Sequence, residues 1–235
     1  MANFSLPRGG DTPHMIRGVQ KDYKRLYYSE QMAALRVPVS LQAGYGVIEQ
    51  GTVMALNKSA AGNIGKLVPY NPTTFAGGAS ENHPGRAYLV AQASASAYDV
   101  YVSMDDSYKF AVGDDLVING SGDSAENLGA ITAIDRTTYT HMAKITFTTA
   151  LSGTFTIAEL SYVCVEAGDN TNNYSDAVGI LEITRDTGLG QYAKGAGGLL
   201  ILGNCVLYEG VLTNLDSAAK TDLSAASFGQ YLYIR

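Results

Sequence analysis

The chain has no tryptophan, two cysteines and three histidines in 235 residues, and only 16% of it is charged. An average soluble domain carries about 25% charge. Each shortage removes a class of function. Cys164 and Cys205 are too few for a disulfide framework, and Cys164 sits in the apolar run Tyr162-Val163-Cys164-Val165, a poor setting for a reactive thiolate. No two of His14, His83 and His141 stand at metal-ligand spacing. No G-x-S-x-G nucleophile elbow is present. No run approaches the ~20 apolar residues of a membrane-spanning helix; the longest candidate, Gly197 to Leu202, is far shorter. The opening MANFSLPRGGDTPH has no apolar stretch after a basic start, so no secretory signal is expected.

What is present is a globular composition, 46% apolar with mean hydropathy near zero, which excludes disorder of the whole chain. There are 26 glycines and 16 tyrosines. A surface poor in charge and rich in tyrosine suits contact with other protein. The net charge of −6 is unevenly placed: residues 1–40 hold six basic and three acidic side chains, leaving ten basic and nineteen acidic for the rest. The body is therefore acidic, which argues against binding a phosphate backbone, while the leading segment is basic.

Residues 1–22 contain Pro7, Gly9, Gly10, Pro13 and Gly18 with few apolar residues, and read as an extended arm. Residues 23–36 are the best helical stretch, with Leu26, Met32, Ala33 and Leu35 on one side and Pro38 as the stop. From Val37 onward the pattern is of short strands. Those within 44–57 and 66–78, the latter stopped by Pro69 and Pro72, and the strand RAYLVAQ at 86–92 come first. Between 93 and 166 turn signals separate five to seven strands. Val100, Val102 and Met104 share a face, and Ala143, Ile145 and Phe147 point inward against Lys144, Thr146 and Thr148. After the polar loop at 167–175 come AVGILEIT, the Gly-rich 188–198, and a strand pair broken at Gly203-Asn204. Residues 215–228 read as a weak helix or a loop, and QYLYIR as a closing strand. The expected fold class is mainly β. An extended N-terminal arm with a short helix (1–40) precedes a split β-rich domain (41–92 and 167–235), into which a small β-barrel or sandwich (93–166) is inserted. The insert enters and leaves through RAYLVAQ and LSYVCVEA, which are expected to pair.

The search for chemistry returns little. Gly62-Asn63-Ile64-Gly65-Lys66 lacks the spacer and hydroxyl of a phosphate loop and reads as a turn. Asp105-Asp106 and Asp114-Asp115 are adjacent pairs, which on strands point to opposite faces. The loop 168–176 is rich in oxygen ligands but does not match a calcium loop. No enzyme activity, cofactor or metal is expected. Tyr23, Tyr27 and Tyr28 lie among Lys21, Lys24 and Arg25, a mixture that serves single-stranded nucleic acid or a protein interface; the acidic body favours the interface.

Several short motifs fall in a telling order. Gln50-Gly51-Thr52-Val53-Met54-Ala55 is followed by Gly65-Lys66-Leu67-Val68-Pro69-Tyr70, then Ala177-Val178-Gly179-Ile180-Leu181, then the strand pair from Gly203 to Leu212. In this the chain resembles the head-decoration (cement) proteins of tailed bacteriophages, of the lambda decoration-protein type. The segments Phe110 to Asp115 and Gly129 to Asp135 are similar to small β modules of phage virion proteins. The long arm and the insert depart from the smallest members. The resemblance implies a decoration-protein-like split domain and a capsid-stabilising role on the outer surface of the expanded head. It implies binding to the major capsid protein as a homotrimer, with an arm that adds to a capsid strand, and no membrane or direct nucleic-acid contact. The candidate capsid-interface residues are Phe4, Leu6, Ile16, Tyr23, Leu26, Tyr27 and Tyr28; for Leu26 and Tyr27, packing on their own body is an equal alternative. A second reading is a virion-displayed surface or glycan-binding module, with Tyr98, Tyr101, Tyr108, Tyr139 and Tyr162 as its platform.

Overall fold

The computed structural model describes residues 25–29, 34–57, 63–71, 83–120, 124–166, 176–225 and 231–234. Its first strands are β1 (Tyr27–Ser29), β2 (Leu35–Leu41), β3 (Val47–Ile48), β4 (Val53–Leu56) and β5 (Leu67–Pro69). Next come β6 (Ala87–Tyr88), β7 (Asp99–Ser103), β8 (Asp115–Asn119), β9 (Glu126–Asp135), β10 (Met142–Phe147) and β11 (Tyr162–Val165). The last are β12 (Ala177–Leu181), β13 (Arg185–Asp186), β14 (Ala196–Gly203), β15 (Cys205–Tyr208) and β16 (Tyr231–Ile234), with helix α1 at Ser217–Ala225 before β16. The fold is mainly β, as expected.

Two barrel-like bodies account for most of these strands. The first is a closed barrel in the order β12-β14-β2-β5-β4, with β4 returning to β12. Its core is built by Leu41, Val53, Met54, Leu67, Tyr70, Ile180, Leu181, Leu200 and Ile201. The second is the six-stranded sheet β6-β11-β8-β9-β10-β7. A bridge from Leu89 to Val102, with Val90 N–H donating to the Tyr101 carbonyl at 2.9 Å, joins its two ends and nearly closes it. Its separate core includes Leu116, Ile118, Leu128, Ile131, Phe155 and Val163. The alternation legible in β7 and β10 decides the register: Val100 pairs with Ile145 and Val102 with Ala143, and all four are buried. β6 pairs with β11, Tyr88 opposite Tyr162 and Ala87 opposite Val163. That is the pairing expected of RAYLVAQ and LSYVCVEA, although it places β6 in the second sheet.

The helix expected over 23–36 is not what the described part of that stretch forms. Tyr27–Ser29 and Leu35–Leu41 are strands. Pairing outweighs local propensity here: β1 lies on β15, and β2 runs antiparallel to β14 over its whole length. Pro38, read as a helix stop, lies inside β2. Gln42 N–H donates to the Leu67 carbonyl at 2.9 Å, so the even-numbered residues of β2 turn their backbone toward β5. The ring nitrogen of Pro38 therefore faces away from β14 and breaks no bond of that ladder. Residues 217–225, left between helix and loop, are helical, started by the Asp216 carboxylate accepting from Ala219 N–H at 2.7 Å.

A third sheet, β1-β15-β16, packs Leu26, Cys205 and Leu207 into the core of the first barrel. β3 and β13 form a two-stranded ribbon, Val47 opposite Asp186 and Ile48 opposite Arg185.

Candidate interaction surface

Of the seven candidate interface residues, Phe4, Leu6, Ile16 and Tyr23 lie outside the described residues. Leu26 and Tyr27 are buried in the chain's own core, the alternative left open for them: an apolar residue beside β15 gains more by completing the barrel. The Tyr27 hydroxyl donates to Glu182 Oε1 at 2.8 Å, and Arg36 Nε donates to the same oxygen at 2.8 Å. Burial first, and then the bond to Glu182, hold the Tyr27 phenol well above its ordinary range. This clamp fixes the root of the N-terminal segment to β2 and to the residue after β12.

Tyr28 is turned outward and is 51% exposed. Its ring meets that of Tyr208 edge-to-face, centroids 5.5 Å apart, and the Arg25 guanidinium lies 5.8 Å from the Tyr208 ring. Arg25, Tyr28 and Tyr208 thus form a cation–aromatic group on β1 and β15, where the leading segment joins the body.

The two barrels meet across a polar seam. Asp114, fully buried, accepts from Asn57 Nδ2 (3.2 Å), Asn63 N–H (3.1 Å) and Asn63 Nδ2 (3.2 Å) on one side of the seam. From its own turn it accepts Ala111 N–H at 2.8 Å. Asn57 Nδ2 also donates to Gln42 Oε1, and Gln42 Nε2 to the Lys109 carbonyl. Lys109 Nζ donates to the Arg86 carbonyl at 2.6 Å and pairs with Asp106. Arg86 Nε donates to Asn71 Oδ1 at 2.8 Å, and its guanidinium lies 4.2 Å from the Tyr162 ring. A Cβ on Gly44 would run into the Tyr108 carbonyl, so only glycine lets the barrels approach there. Asp114 was legible only as half of an adjacent carboxylate pair; its partners across the seam, Asn57 and Asn63, lie more than fifty residues away in sequence.

The Gly-rich stretch after β13 is a tight loop. Thr187 N–H donates to the Gly46 carbonyl at 2.7 Å, Gly46 N–H to Gly188, Tyr45 N–H to Thr187 Oγ1, and Lys194 N–H to Thr187. Gly188 has φ +67°, and a Cβ there would strike the Tyr192 carbonyl. This framework carries three exposed apolar side chains: Val47, Leu189 at 54% exposure and Tyr192 at 76%. Leu189 lies over Gly46.

Both thiols are buried. Burial pushes Cys164 up to about 12 and Cys205 up to about 11, so neither is a nucleophile at neutral pH. Asn63, Ile64 and Gly65 form a turn, with Lys66 Nζ donating to Asn63 Oδ1 at 2.8 Å. Among the described residues no three His, Cys, Asp or Glu side chains gather as a metal site, and no helix is long and apolar enough to cross a membrane. Of the glycan-platform residues, Tyr162 is fully buried, Tyr108 lies 4.4 Å from the Arg136 guanidinium, and Tyr101 meets Tyr139 edge-to-face with centroids 5.6 Å apart. Set beside protein family models, curated proteins and solved structures, the chain matches none.

Proposed function

We propose that this protein decorates the outer surface of a bacteriophage head, binding the major capsid protein and stabilising the expanded shell against packaged DNA. The observation that carries this reading is the root of the leading segment. Leu26 is buried in the core with its carbonyl accepting from Tyr208 N–H, Tyr27 is bonded to the Glu182 that Arg36 also holds, and the next residue, Tyr28, stands beside Tyr208 and Arg25. A rigid body thereby holds one end of a basic, Pro- and Gly-punctuated segment at an aromatic surface. Such a segment adds to a neighbouring strand through backbone bonds, with side chains setting register. The charge-poor, acidic body suits the outside of the shell, away from DNA. On this reading the chain acts as a homotrimer at three-fold positions, with no membrane partner, and repetition over the lattice makes modest single-site affinity sufficient. Titrating the purified protein onto expanded, undecorated heads tests it. Saturation in symmetric stoichiometry, lost on deleting residues 1–22, is the expected result. Absence of binding by the intact chain rejects the function, and unchanged binding by the deletion rejects the arm.

A further inference from the structure

We propose that the loop pair formed by residues 44–48 and 186–192 is a second shell contact, independent of the leading segment. It rests on the shell-decorating reading above. Its Val47, Leu189 and Tyr192 side chains are exposed on a backbone that has little freedom to move. The loop at 187–188 is bonded to Gly46 in both directions, Gly188 N–H is held by Asp186 Oδ1 at 2.8 Å, and Tyr192 N–H donates to Leu189. The glycines that close it have no space for a side chain: a Cβ at Gly188 meets Tyr192, and one at Gly190 meets the Asp105 carboxylate. An exposed Tyr and Leu on a pre-formed loop lose little freedom on docking, the property of interface anchors.

The charges beside the loop select the occupant. Asp186 stands opposite Val47 in the ribbon, and Asp105 touches Gly190, next to Leu189; both are exposed. A second copy meeting this face with its own equivalent face would set Asp105 and Asp186 against their like charges. The fitting partner is a surface of the capsid lattice with an apolar socket ringed by Lys or Arg.

The test uses full-length protein and expanded, undecorated heads. The double variant Leu189→Ser/Tyr192→Ala should keep its melting temperature, because both side chains are exposed, yet bind heads about ten- to a hundred-fold more weakly. Asp105→Asn/Asp186→Asn should make binding less steeply salt-dependent. If the intact chain binds and the first double variant binds equally well, the second contact is wrong while the decorating function stands. Tyr192→Lys is a further check, since it keeps the loop glycines and sets a positive charge against the proposed Lys- or Arg-ringed socket; unaffected binding by it also overturns the contact. Failure of the intact chain to bind rejects the function and this contact together. If sedimentation velocity shows self-association of the intact chain that Leu189→Ser/Tyr192→Ala abolishes, the occupant is another copy and the proposal is overturned.

Discussion

Every hydrogen-bonding partner of the Asp114 carboxylate is a donor: Asn57 and Asn63 side-chain amides and the N–H groups of Asn63 and Ala111. Asparagine has nearly the same shape but turns an NH₂ toward those donors. Asp114→Asn should therefore destabilise almost as much as Asp114→Ala, each by roughly 3 kcal/mol. Urea denaturation measures both, and an Asn variant as stable as the parent would refute the donor-only account. At the clamp, Tyr27→Phe removes one bond and should cost about 1 kcal/mol, whereas Glu182→Ala strips both Tyr27 and Arg36 of their shared acceptor and should cost about 2 kcal/mol or more. Cys164 predicts an alkaline weakness. Its unfolded thiol titrates near 9 and its folded thiol near 12. Across that window the folded state holds the extra proton, so stability is unaffected below pH 9 and falls as pH rises toward 12. Melting temperatures from pH 7 to 11 should show the fall, and Cys164→Ala should show less of it.

Among the elements, strands with one wet and one buried face were legible in advance. Val100, Val102, Ala143, Ile145 and Phe147 carry a period of two that nothing local contradicts. The pairing of β6 with β11 followed from reading the two strands as the entry and exit of an insert, whose ends lie close together. The stretch 23–36 reads as a helix because Leu26, Met32, Ala33 and Leu35 can share one side of one. What makes strands of its described part is pairing with β15 and β14, about 155 to 180 residues later. The loop at 187–192 was visible as Gly-rich, but its bonds to Gly46 depend on a partner about 140 residues away. Gly44→Ala should show how tightly these loops are set. With φ +93° and the Tyr108 carbonyl in the way, it should lower stability by about 2 kcal/mol, measured by thermal or chemical unfolding.

For the whole molecule, the seam ties together two cores that share no hydrophobic cluster. Its connections are buried and polar, through Asp114, Gln42, Lys109, Arg86 and Asn71. Breaking one leaves several donors unsatisfied, so the two barrels should unfold in a single calorimetric transition. Asp114→Ala should split or broaden that transition; two separated peaks in the parent protein would show the seam to be weaker than its geometry implies.

The small sheet β1-β15-β16 has a practical consequence for anyone wishing to attach something to this molecule. Tyr27 lies across from Leu207, which in turn lies beside Tyr233. The chain therefore enters β1 and finishes β16 at one end of the same sheet, two strand spacings or about 10 Å apart. A reporter or peptide fused directly after β16 would leave the sheet at the end where β1 begins, on the side of the proposed capsid contact. The Thr137–Thr140 bend of the second barrel, far along the chain from both ends, is the better place for cargo.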